Sequence, residues 1–462
     1  MVWLREQGYG VHAYCADLGQ DEDFAAARAK ALKIGAKSVH IEDLREEFLN
    51  TYILPAIQAN AIYENLYLMG TSLARPCIAK RAVEIAHKMG CGFVAHGATG
   101  KGNDQVRFEL TFAALDPALQ AIVPWRDPAF FNKFQGRGDL LEYAAKHGVP
   151  VVQTKAKPYS CVLAQPALSP DHAPQHTVPP RHASSALRIC ISPPPPHLSA
   201  PLLPTSPLRS TLPRLAPLRS MDENMMHVSY EAGVLEDPAT PAPADMFRMT
   251  TDPAKAPDAP ATLRVWFEKG LPTRVKHLEG DTDIVGDRLK IFLYLNKVGG
   301  AHGVGRADVV ENRFVGIKSR GVYENPGAEV LRQAHIGLEG LTLDREVFRL
   351  RDTLSARFAD LVYNGFWHSP EMEFILAAVQ KSQERVTGYC DVRLFKGRAS
   401  VAARSSPLSL YNKTISSMDV AGGWNPQDST GFIRINSVRL RAHAARERAI
   451  AAAAAAEKAK LR

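Results

Sequence analysis

The chain has 462 residues, a length that predicts two or three domains, and its 45% hydrophobic content is normal for a globular protein that can bury a substantial core. It lacks 18 consecutive apolar residues, which argues against a membrane span. Its six cysteines show no paired C-x-x-C spacing, which argues against structural zinc and favours a reducing compartment. Half of the net charge of +8 falls in residues 161–220. The sequence shows no cluster of basic residues interleaved with aromatic residues, so we do not expect nucleic-acid binding.

The first 160 residues alternate between predicted strands and helices. Strands are predicted at residues 10–16, 38–41 and 91–95, and helices at residues 21–34, 44–60, 78–89 and 106–115. This alternation indicates an α/β fold in which a parallel sheet carries helices on both faces. Ligands bind beyond the carboxyl ends of the strands in such sheets, so the polar segments 16–19, 70–72 and 97–104 are expected to converge on one binding edge.

A glycine-rich turn within residues 95–109 is the most informative of these segments. It reads Ala-His-Gly-Ala-Thr-Gly-Lys-Gly-Asn-Asp-Gln-Val-Arg-Phe-Glu, the order of a strand, a turn and a helix start. Glycines let backbone N–H groups approach an anion, and the helix dipole favours negative charge there. Lys101 is followed by Gly102 instead of Ser or Thr, so this is not a Walker A loop, and it is not a Rossmann fingerprint either. Taken alone, it allows an anion site or an ordinary structural turn.

Residues 161–220 break the composition of the chain. They contain 14 of its 32 prolines and no Gly, Lys, Glu, Phe, Tyr or Trp. A segment of this kind can bury little surface, so we expect it to be disordered or polyproline-like. It is interpreted as a tolerated surface insertion, with a proline-rich docking arm as the alternative.

The remainder predicts a second, mixed α+β domain followed by a helix. Its strands are predicted at residues 263–267, 291–295, 313–318 and 392–395, and its helices at residues 341–363 and 369–383. Residues 432–462 are predicted to be helical and Ala-rich. We interpret the first half of this helix as an arm that packs on another subunit, and its end as a frayed tail.

Six stretches of the chain carry a family resemblance. They are residues 16–24, 67–76 (Tyr-Leu-Met-Gly-Thr-Ser-Leu-Ala-Arg-Pro), 96–111, 221–238, 310–326 and 422–446. On these motifs the chain resembles the argininosuccinate synthase family, ATP-dependent ligases that join citrulline and aspartate. The resemblance implies an adenine-nucleotide α-hydrolase-like domain at 1–160, an insertion at 161–220, a synthetase domain at 221–430, and an oligomerisation helix and tail at 431–462.

The resemblance also implies the chemistry. The ureido oxygen of citrulline attacks the α-phosphate of ATP, which releases pyrophosphate and leaves a citrulline adenylate, and the aspartate amine then displaces AMP. Such catalysis depends on positioning and charge stabilisation, so no residue is assigned beyond substrate positioning. ATP with Mg²⁺ is the implied co-substrate, with no tightly bound cofactor and no protein-bound metal. A cytoplasmic homotetramer is implied, with a plastid or another organelle as the alternative location.

The family's contacts carry over to matching positions. ATP contacts are implied at Ala16, Ala95, His96, Gly97, Ala98, Thr99, Gly100, Lys101, Gly102 and Asn103. Aspartate contacts are implied at Thr99, Asn103 and Asp104. Citrulline contacts are implied at Tyr67, Ser72, Asn103, Arg107, Ser229, Glu311, Tyr323 and one of Ser160 or Ser220, of which we assign Ser220.

Each implied role has a structural alternative. Arg107 suits the citrulline carboxylate and Glu311 its ammonium, while Asp104 can pair with the ammonium of aspartate. Taken from the residues alone, Arg107 could instead pair with Glu109 on a solvated face, and Glu311 could be a surface carboxylate. An ordinary structural role is the alternative for Tyr67, Tyr323 and His96, and we expect it for His96.

Two features depart from the family. Its members open with a strand and a Ser-Gly-Gly-Leu-Asp-Thr-Ser loop that grips pyrophosphate, whereas this chain begins within the following helix, at residues matching 4–9. Its members also pass directly from a segment like 157–160 to one like 221–224. We therefore expect an incomplete gene sequence, a neighbouring strand left exposed, and a retained intron at 161–220. The alternative function is that of a non-catalytic homologue that binds citrulline-like ligands or a protein partner.

Overall fold

The computed structural model describes residues 1–99, 102–134, 136–150, 188–192, 220–419, 423 and 425–460. The chain divides into two compact units, Met1–Leu408 and Ser409–Arg462. The first unit begins with the predicted alternation of strands and helices. Its early elements are α1 (Val2–Glu6), β1 (Gly10–Asp17), α2 (Phe24–Lys33), β2 (Ser38–Asp43), α3 (Arg45–Glu47), α4 (Leu54–Gln58), α5 (Gly70–Lys88), β3 (Phe93–Ala95), α6 (Asp104–Leu115), β4 (Gln120–Ile122), α7 (Pro128–Lys133) and α8 (Arg137–Lys146).

The predicted helices in this region are present with shifted limits. The helix predicted at 44–60 is a helical run in which a π-helical segment, Phe48–Ile53, joins α3 to α4. The helix predicted to start at residue 78 begins at Gly70 instead, because Pro76 is accommodated inside α5. This earlier start places Thr71 and Ser72 in the first turn of a helix, where we had expected a segment leading into one.

The first sheet contains two strands that the sequence did not predict, β4 and β5. β5 (Arg188–Ser192) lies between β1 and β3, so the strand order is β2-β1-β5-β3-β4. β1 is parallel to β2 and β3 is parallel to β4, whereas β5 runs antiparallel to both of its neighbours. The predicted α/β fold is confirmed, and four of the five strands share the predicted parallel direction.

Helices cover both faces of this sheet. Successive side chains of β1 point to opposite faces, as the pleat requires. Val11 and Ala13 join small apolar clusters with Trp3 of α1 and Ala31 of α2, whereas Tyr14 joins the main core with residues of α5 and α6. The prediction of helices on both faces is therefore confirmed.

β5 corrects the prediction of disorder for residues 161–220, since residues 188–192 form a strand inside the sheet. The physical reason is local, because residues 181–192 contain no proline and include Ile-Cys-Ile, a run with strong strand propensity. β5 also pairs with the edges of β1 and β3, so the expectation of an exposed neighbouring strand is wrong as well. Residues 151–187 and 193–219 lie outside the described part of the chain.

The second half of the first unit is mixed α+β, as predicted. Its elements are β6 (Ser220–Glu223), β7 (Val228–Glu231), β8 (Ala261–Glu268), β9 (Leu271–His277), β10 (Asp283–Val285), α9 (Arg288–Ala301), β11 (Arg306–Asn312), β12 (Lys318–Glu324), α10 (Pro326–Thr342), α11 (Arg345–Asn364), α12 (Pro370–Gln383), β13 (Gly388–Phe395) and β14 (Arg398–Ser405). The strands form two antiparallel sheets with the orders β10-β9-β8-β13-β14 and β11-β12-β7-β6. Short 3₁₀ turns occur at Pro124–Arg126, Gly233–Glu236, Ala244–Met246 and Pro253–Lys255.

Three predictions in this region are wrong. Residues 291–295 belong to α9 because Asp287 caps its N-terminus by accepting a hydrogen bond from the Lys290 amide, 2.9 Å away. Residues 313–317 form the turn between β11 and β12, closed by Gly316 at φ +87°, and only Lys318 of the predicted strand belongs to β12. The helix predicted at 341–363 is two helices, because Asp344 caps a new N-terminus at α11. The predicted elements at 263–267, 369–383 and 392–395 are confirmed.

The second unit contains α13 (Lys413–Ser416) and the long helix α14 (Asp428–Lys460). The predicted C-terminal helix is therefore confirmed up to residue 460. No side chain of α14 is buried, so its proposed division into an arm and a tail stays a prediction. Among the described helices of the whole chain, none combines the length and the apolar character needed to cross a membrane.

We predict that Cys190→Pro destabilises the protein, because proline removes an amide donor from the middle of the sheet. The unsatisfied acceptor should lower the free energy of unfolding by about 1–3 kcal/mol, measured by denaturant titration. Cys190→Ala keeps the amide and is the matched control. Equal stability of the two variants would contradict the placement of β5 between β1 and β3.

Candidate functional site

A cavity of about 350 Å³ lies at the binding edge that was predicted for the first sheet. Ala16 and Leu18 at the end of β1, Thr71 at the start of α5, and the turn between β3 and α6 all line it. The convergence of the three predicted segments is therefore confirmed. β6, β7, β11, β12 and the end of α11 close the other side of the cavity, and they contribute Ser220, Met221, Asp222, Glu223, Ser229, Glu231, Glu311, Tyr323 and Tyr363.

The glycine-rich turn brings the start of α6 to the cavity wall. The cavity is lined here by His96, Gly97, Ala98, Thr99, Gly102, Asn103 and Asp104. Gly97 has open space where a side chain would be, so a ligand can approach its backbone closely. The N-terminus of α6 carries the positive end of the helix dipole, which favours an anionic group.

Four of the predicted nucleotide contacts differ from the rest in their placement. Ala95 is buried in β3 and is not among the residues that line the cavity. Gly100 and Lys101 lie outside the described residues. His96 lines the cavity but is buried, with Nε2 3.3 Å from Glu109 Oε1, so its ring also has the structural role that we expected.

Most of the predicted citrulline residues meet in the same cavity. Those that line it are Tyr67, Asn103, Arg107, Ser220, Ser229, Glu311 and Tyr323. Ser72 is the exception among the described candidates, because it is fully buried in α5 beside the cavity and does not line it. Ser160, the alternative to Ser220, lies outside the described residues.

Arg107 is buried at the base of the cavity. Its Nη1 is 3.1 Å from Asp104 Oδ1, and its Nε donates to the carbonyl oxygen of Tyr363 at 2.8 Å. Only 5% of the residue is exposed, so the alternative of a solvated pair with Glu109 is wrong. A buried guanidinium with donors still available is suited to a ligand carboxylate.

Glu311 is held between two tyrosines. Its Oε2 accepts a hydrogen bond from Tyr323 at 2.9 Å, and its Oε1 accepts one from Tyr363 at 2.7 Å. Tyr67 stacks on Tyr323 with a centroid distance of 4.0 Å, and Tyr63 stacks on Tyr363 at 3.7 Å. Glu311 is buried, so the alternative of a surface carboxylate is wrong. A buried carboxylate beside aromatic rings is suited to an ammonium group.

A chain of ion pairs that was not predicted from the sequence crosses the cavity. Arg75 pairs with Asp104 at 2.7 Å and also with Asp222 of β6. Burial lowers the pKa of Arg75, but the two carboxylates outweigh this effect and raise it. Arg75 follows Thr71 by four residues, so helical spacing could have placed it on the same face of α5. Asp222 has no comparable signal in the sequence.

A second missed pair lies at the turn between β11 and β12. Arg313 pairs with Glu231 at 2.6 Å, and both residues line the cavity. The backbone N–H of Phe314 donates to Oδ1 of Asn103 at 3.1 Å. This bond occupies the amide oxygen of Asn103 and leaves its Nδ2 group to act as a donor.

His227 lies buried behind the cavity wall. Its Nε2 is 2.8 Å from the hydroxyl of Thr71, and its ring packs so closely on Gly70 that a Cβ at Gly70 would lie 2.5 Å from Cγ. Burial, together with the positive charges of Arg75 and Arg107, lowers the pKa of His227 to about 3. The imidazole is therefore neutral at physiological pH.

The cavity has no dedicated metal cage in the described part of the chain, where no group of three or more His, Cys, Asp or Glu could hold an ion. Its lining nevertheless carries five carboxylates, on Asp104, Asp222, Glu223, Glu231 and Glu311, against three guanidiniums, on Arg75, Arg107 and Arg313. This balance favours ammonium groups and disfavours a highly charged free anion.

Comparison with known proteins gives one family. Residues 1–150 match the "Arginosuccinate synthase N-terminal HUP domain", and residues 219–443 match the "Arginosuccinate synthase C-terminal domain". The argininosuccinate synthase of Bos taurus is 48% identical over 441 residues, covering 96% of this chain and 92% of that protein. That of Thermotoga sp. (strain RQ2) is 49% identical over 443 residues, covering 96% and 93%. That of Homo sapiens is 47% identical over 441 residues, covering 96% and 92%.

We predict that His227 makes stability depend on pH between 6.5 and about 3. Its pKa is lowered in the folded state, so the unfolded chain binds the proton first and stability falls as pH falls through this window. His227→Gln keeps a polar contact to Thr71 and removes the titration. The difference in unfolding free energy between wild type and this variant should therefore shrink as the pH is lowered.

The matched control is His87→Gln, because the His87 side chain is exposed on α5. Denaturant titrations across the pH range measure both variants. If the difference between wild type and His227→Gln stays constant across the window, the buried neutral imidazole is not the cause.

Proposed function

The chain belongs to the argininosuccinate synthase family of ATP-dependent ligases, and we propose how its cavity binds the three substrates of that reaction. The reaction joins L-citrulline and L-aspartate and converts ATP to AMP and pyrophosphate. The observation that carries the proposal is that one cavity gathers the glycine-rich turn, Arg107 and Glu311 from elements far apart in sequence.

Citrulline binds by its amino-acid head group. Arg107 takes the α-carboxylate with its available donors, and Glu311 takes the α-ammonium. Tyr67 and Tyr323 supply the adjacent aromatic wall. Ser220 and Ser229 lie on β6 and β7, on the opposite side of the cavity from α6, and we assign them hydrogen bonds to citrulline.

Aspartate and ATP bind toward the glycine-rich turn. Asp104 pairs with the ammonium of aspartate, while Thr99 and the Nδ2 group of Asn103 donate to its carboxylates. Ala16 and the backbone from Gly97 onward hold the nucleotide, with the N-terminus of α6 stabilising its phosphates. ATP enters as its Mg²⁺ complex, since the excess of carboxylates disfavours the free tetra-anion and Mg²⁺ is commonly bound through substrate phosphates.

Two displacements complete the reaction. The ureido oxygen of citrulline forms a bond to the α-phosphorus as the bond to pyrophosphate breaks. The aspartate ammonium then releases a proton to solvent, and the resulting amine nitrogen bonds to the ureido carbon as the bond from that carbon to the ureido oxygen breaks. AMP leaves with the ureido oxygen, and the nitrogen releases a second proton to solvent. The cavity contributes by holding the nucleophile and electrophile in line and by stabilising charge at fixed positions.

We also propose a domain organisation and a cellular location for the enzyme. We assign 1–160 to nucleotide binding, 161–220 to an insertion, 221–430 to the synthetase domain and 431–462 to oligomerisation, supported by profile matches at 1–150 and 219–443. We assign the enzyme to the cytoplasm, and the four described cysteines, which are all free, suit a reducing compartment.

We predict that the purified chain releases AMP only when citrulline, aspartate and ATP are all present. Arg107→Lys keeps the positive charge but loses the planar fork, so the KM for citrulline should rise at least about tenfold, the effect of one charged hydrogen bond of 1.5–3 kcal/mol. Arg345→Lys, at an exposed position on α11, is the matched control. AMP release that does not require citrulline would contradict the proposal.

We further propose a homotetramer that is assembled through α14. Phe432, Ile433, Ile435 and Val438 are exposed on this helix, and apolar side chains of this kind are usually covered by a partner. Removal of residues 428–462 should lower the mass measured by light scattering below that of the tetramer. Removal of residues 451–462 alone is the control and should leave the tetramer intact; a tetramer that survives the longer deletion would contradict the role of α14.

A further inference from the structure

The C-terminal end of α11 contacts both charged groups that we assign to the head group of citrulline. The hydroxyl of Tyr363 donates to Oε1 of Glu311 at 2.7 Å. The backbone carbonyl of the same residue accepts a hydrogen bond from Nε of Arg107 at 2.8 Å. The guanidinium carbon of Arg107 also lies 4.9 Å from the centroid of the Tyr363 ring. One residue therefore touches the anion and the cation at the same time.

The local sequence explains how α11 reaches Arg107. Carbonyl groups in the last turn of a helix lack partners within the helix and carry the negative end of its dipole, so they attract a cation. Gly365 ends α11 in the left-handed conformation, at φ +91°. A Cβ on Gly365 would lie 2.7 Å from Cα of Arg107, so the close approach of the two segments requires glycine.

The Tyr363 ring is itself held from both sides. Tyr63 stacks on it with an interplanar angle of 6°, and the Arg107 guanidinium lies near it at 4.9 Å. Burial raises the pKa of Tyr363, which keeps its phenol protonated and able to donate. Each oxygen of Glu311 has two acceptor positions, so the bond from Tyr363 still leaves room for an ammonium hydrogen.

We propose that Tyr363 is a positioning residue that sets the separation and orientation of Arg107 and Glu311, and thereby the affinity for the α-ammonium and α-carboxylate of citrulline. This inference rests on the proposed function. Tyr363 was not among the residues implied by the family resemblance. It acts through Glu311 and Arg107, and it lines the cavity without being assigned a contact to the reacting atoms.

The first test is Tyr363→Phe in the full chain, with initial rates measured for all three substrates. The variant keeps the ring and the backbone carbonyl and loses only the bond to Glu311. We expect the KM for citrulline to rise roughly 10- to 100-fold, while kcat and the KM for ATP change by less than about twofold. Tyr52→Phe is the matched control, because Tyr52 is fully buried against Trp367 and its hydroxyl has no partner among the described residues.

The second test uses calorimetry with citrulline and with its analogue that lacks the α-amino group. Wild type should bind citrulline more tightly than the analogue, and this preference should shrink at least fivefold in Tyr363→Phe. An unchanged preference and an unchanged KM for citrulline would overturn the positioning role. A wild type that binds no citrulline would instead overturn the proposed function, so the two failures are distinguishable.

The backbone contact is tested separately with Gly365→Ala. The added methyl group should displace Arg107 and raise the KM for citrulline at least tenfold. Gly286→Ala is the matched control, since Gly286 is also left-handed, at φ +80°, but a Cβ there meets nothing within 4 Å. Equal effects of the two substitutions on the KM would show that backbone strain is responsible and would overturn the role of this contact.

Discussion

The site depends on the burial of one positive charge, the guanidinium of Arg107. Removing a charge from water costs several kcal/mol unless partners replace the lost hydration. Asp104 and the carbonyl of Tyr363 are those partners, and they lie on α6 and at the end of α11. The need to pair this charge therefore ties the nucleotide-binding half of the unit to the half that carries Glu311.

The need to pair buried charges also applies to Arg75, on the other side of Asp104. Asp104 is shared between Arg107 and Arg75, and Arg75 is shared between Asp104 and Asp222, so four charges alternate from α6 through α5 to β6. Arg75 of α5 is neutralised by carboxylates from two other elements, Asp104 of α6 and Asp222 of β6. The cavity wall is complete only when the segments that carry Arg75 and Asp104 have folded together with the segment that carries Asp222, so the shape of the cavity depends on the packing of both halves.

The parts of the fold that follow from local sequence were predictable, and those that follow from tertiary contacts were not. Periodicity and turn residues predict β1, the turn before α6 and α12. The apolar run at 291–295 has no clear period, so it was predicted as a strand, whereas the cap at Asp287 makes it part of α9. Arg107 and Glu311 were identified only through the family resemblance. Tyr363 and Asp222 were missed because only tertiary packing brings them to α6 and α5.

The direction of β5 determines which backbone groups lie at the binding edge of the first sheet. β5 is antiparallel to β1, and Arg188 lies opposite Tyr14 while Ser192 lies opposite Gly10, so the N-terminal end of β5 is nearest the carboxyl ends of β1 and β3. Because β5 starts at this edge, the strand ends at the opposite edge. β5 therefore places no helix N-terminus at this edge that could bind an anion. For the proposed reaction, we therefore expect the backbone that stabilises the phosphates at this point of the sheet to come from the turn between β3 and α6. On that proposal, the glycines of this turn and the dipole of α6 contribute more to nucleotide binding than they would in a fully parallel sheet.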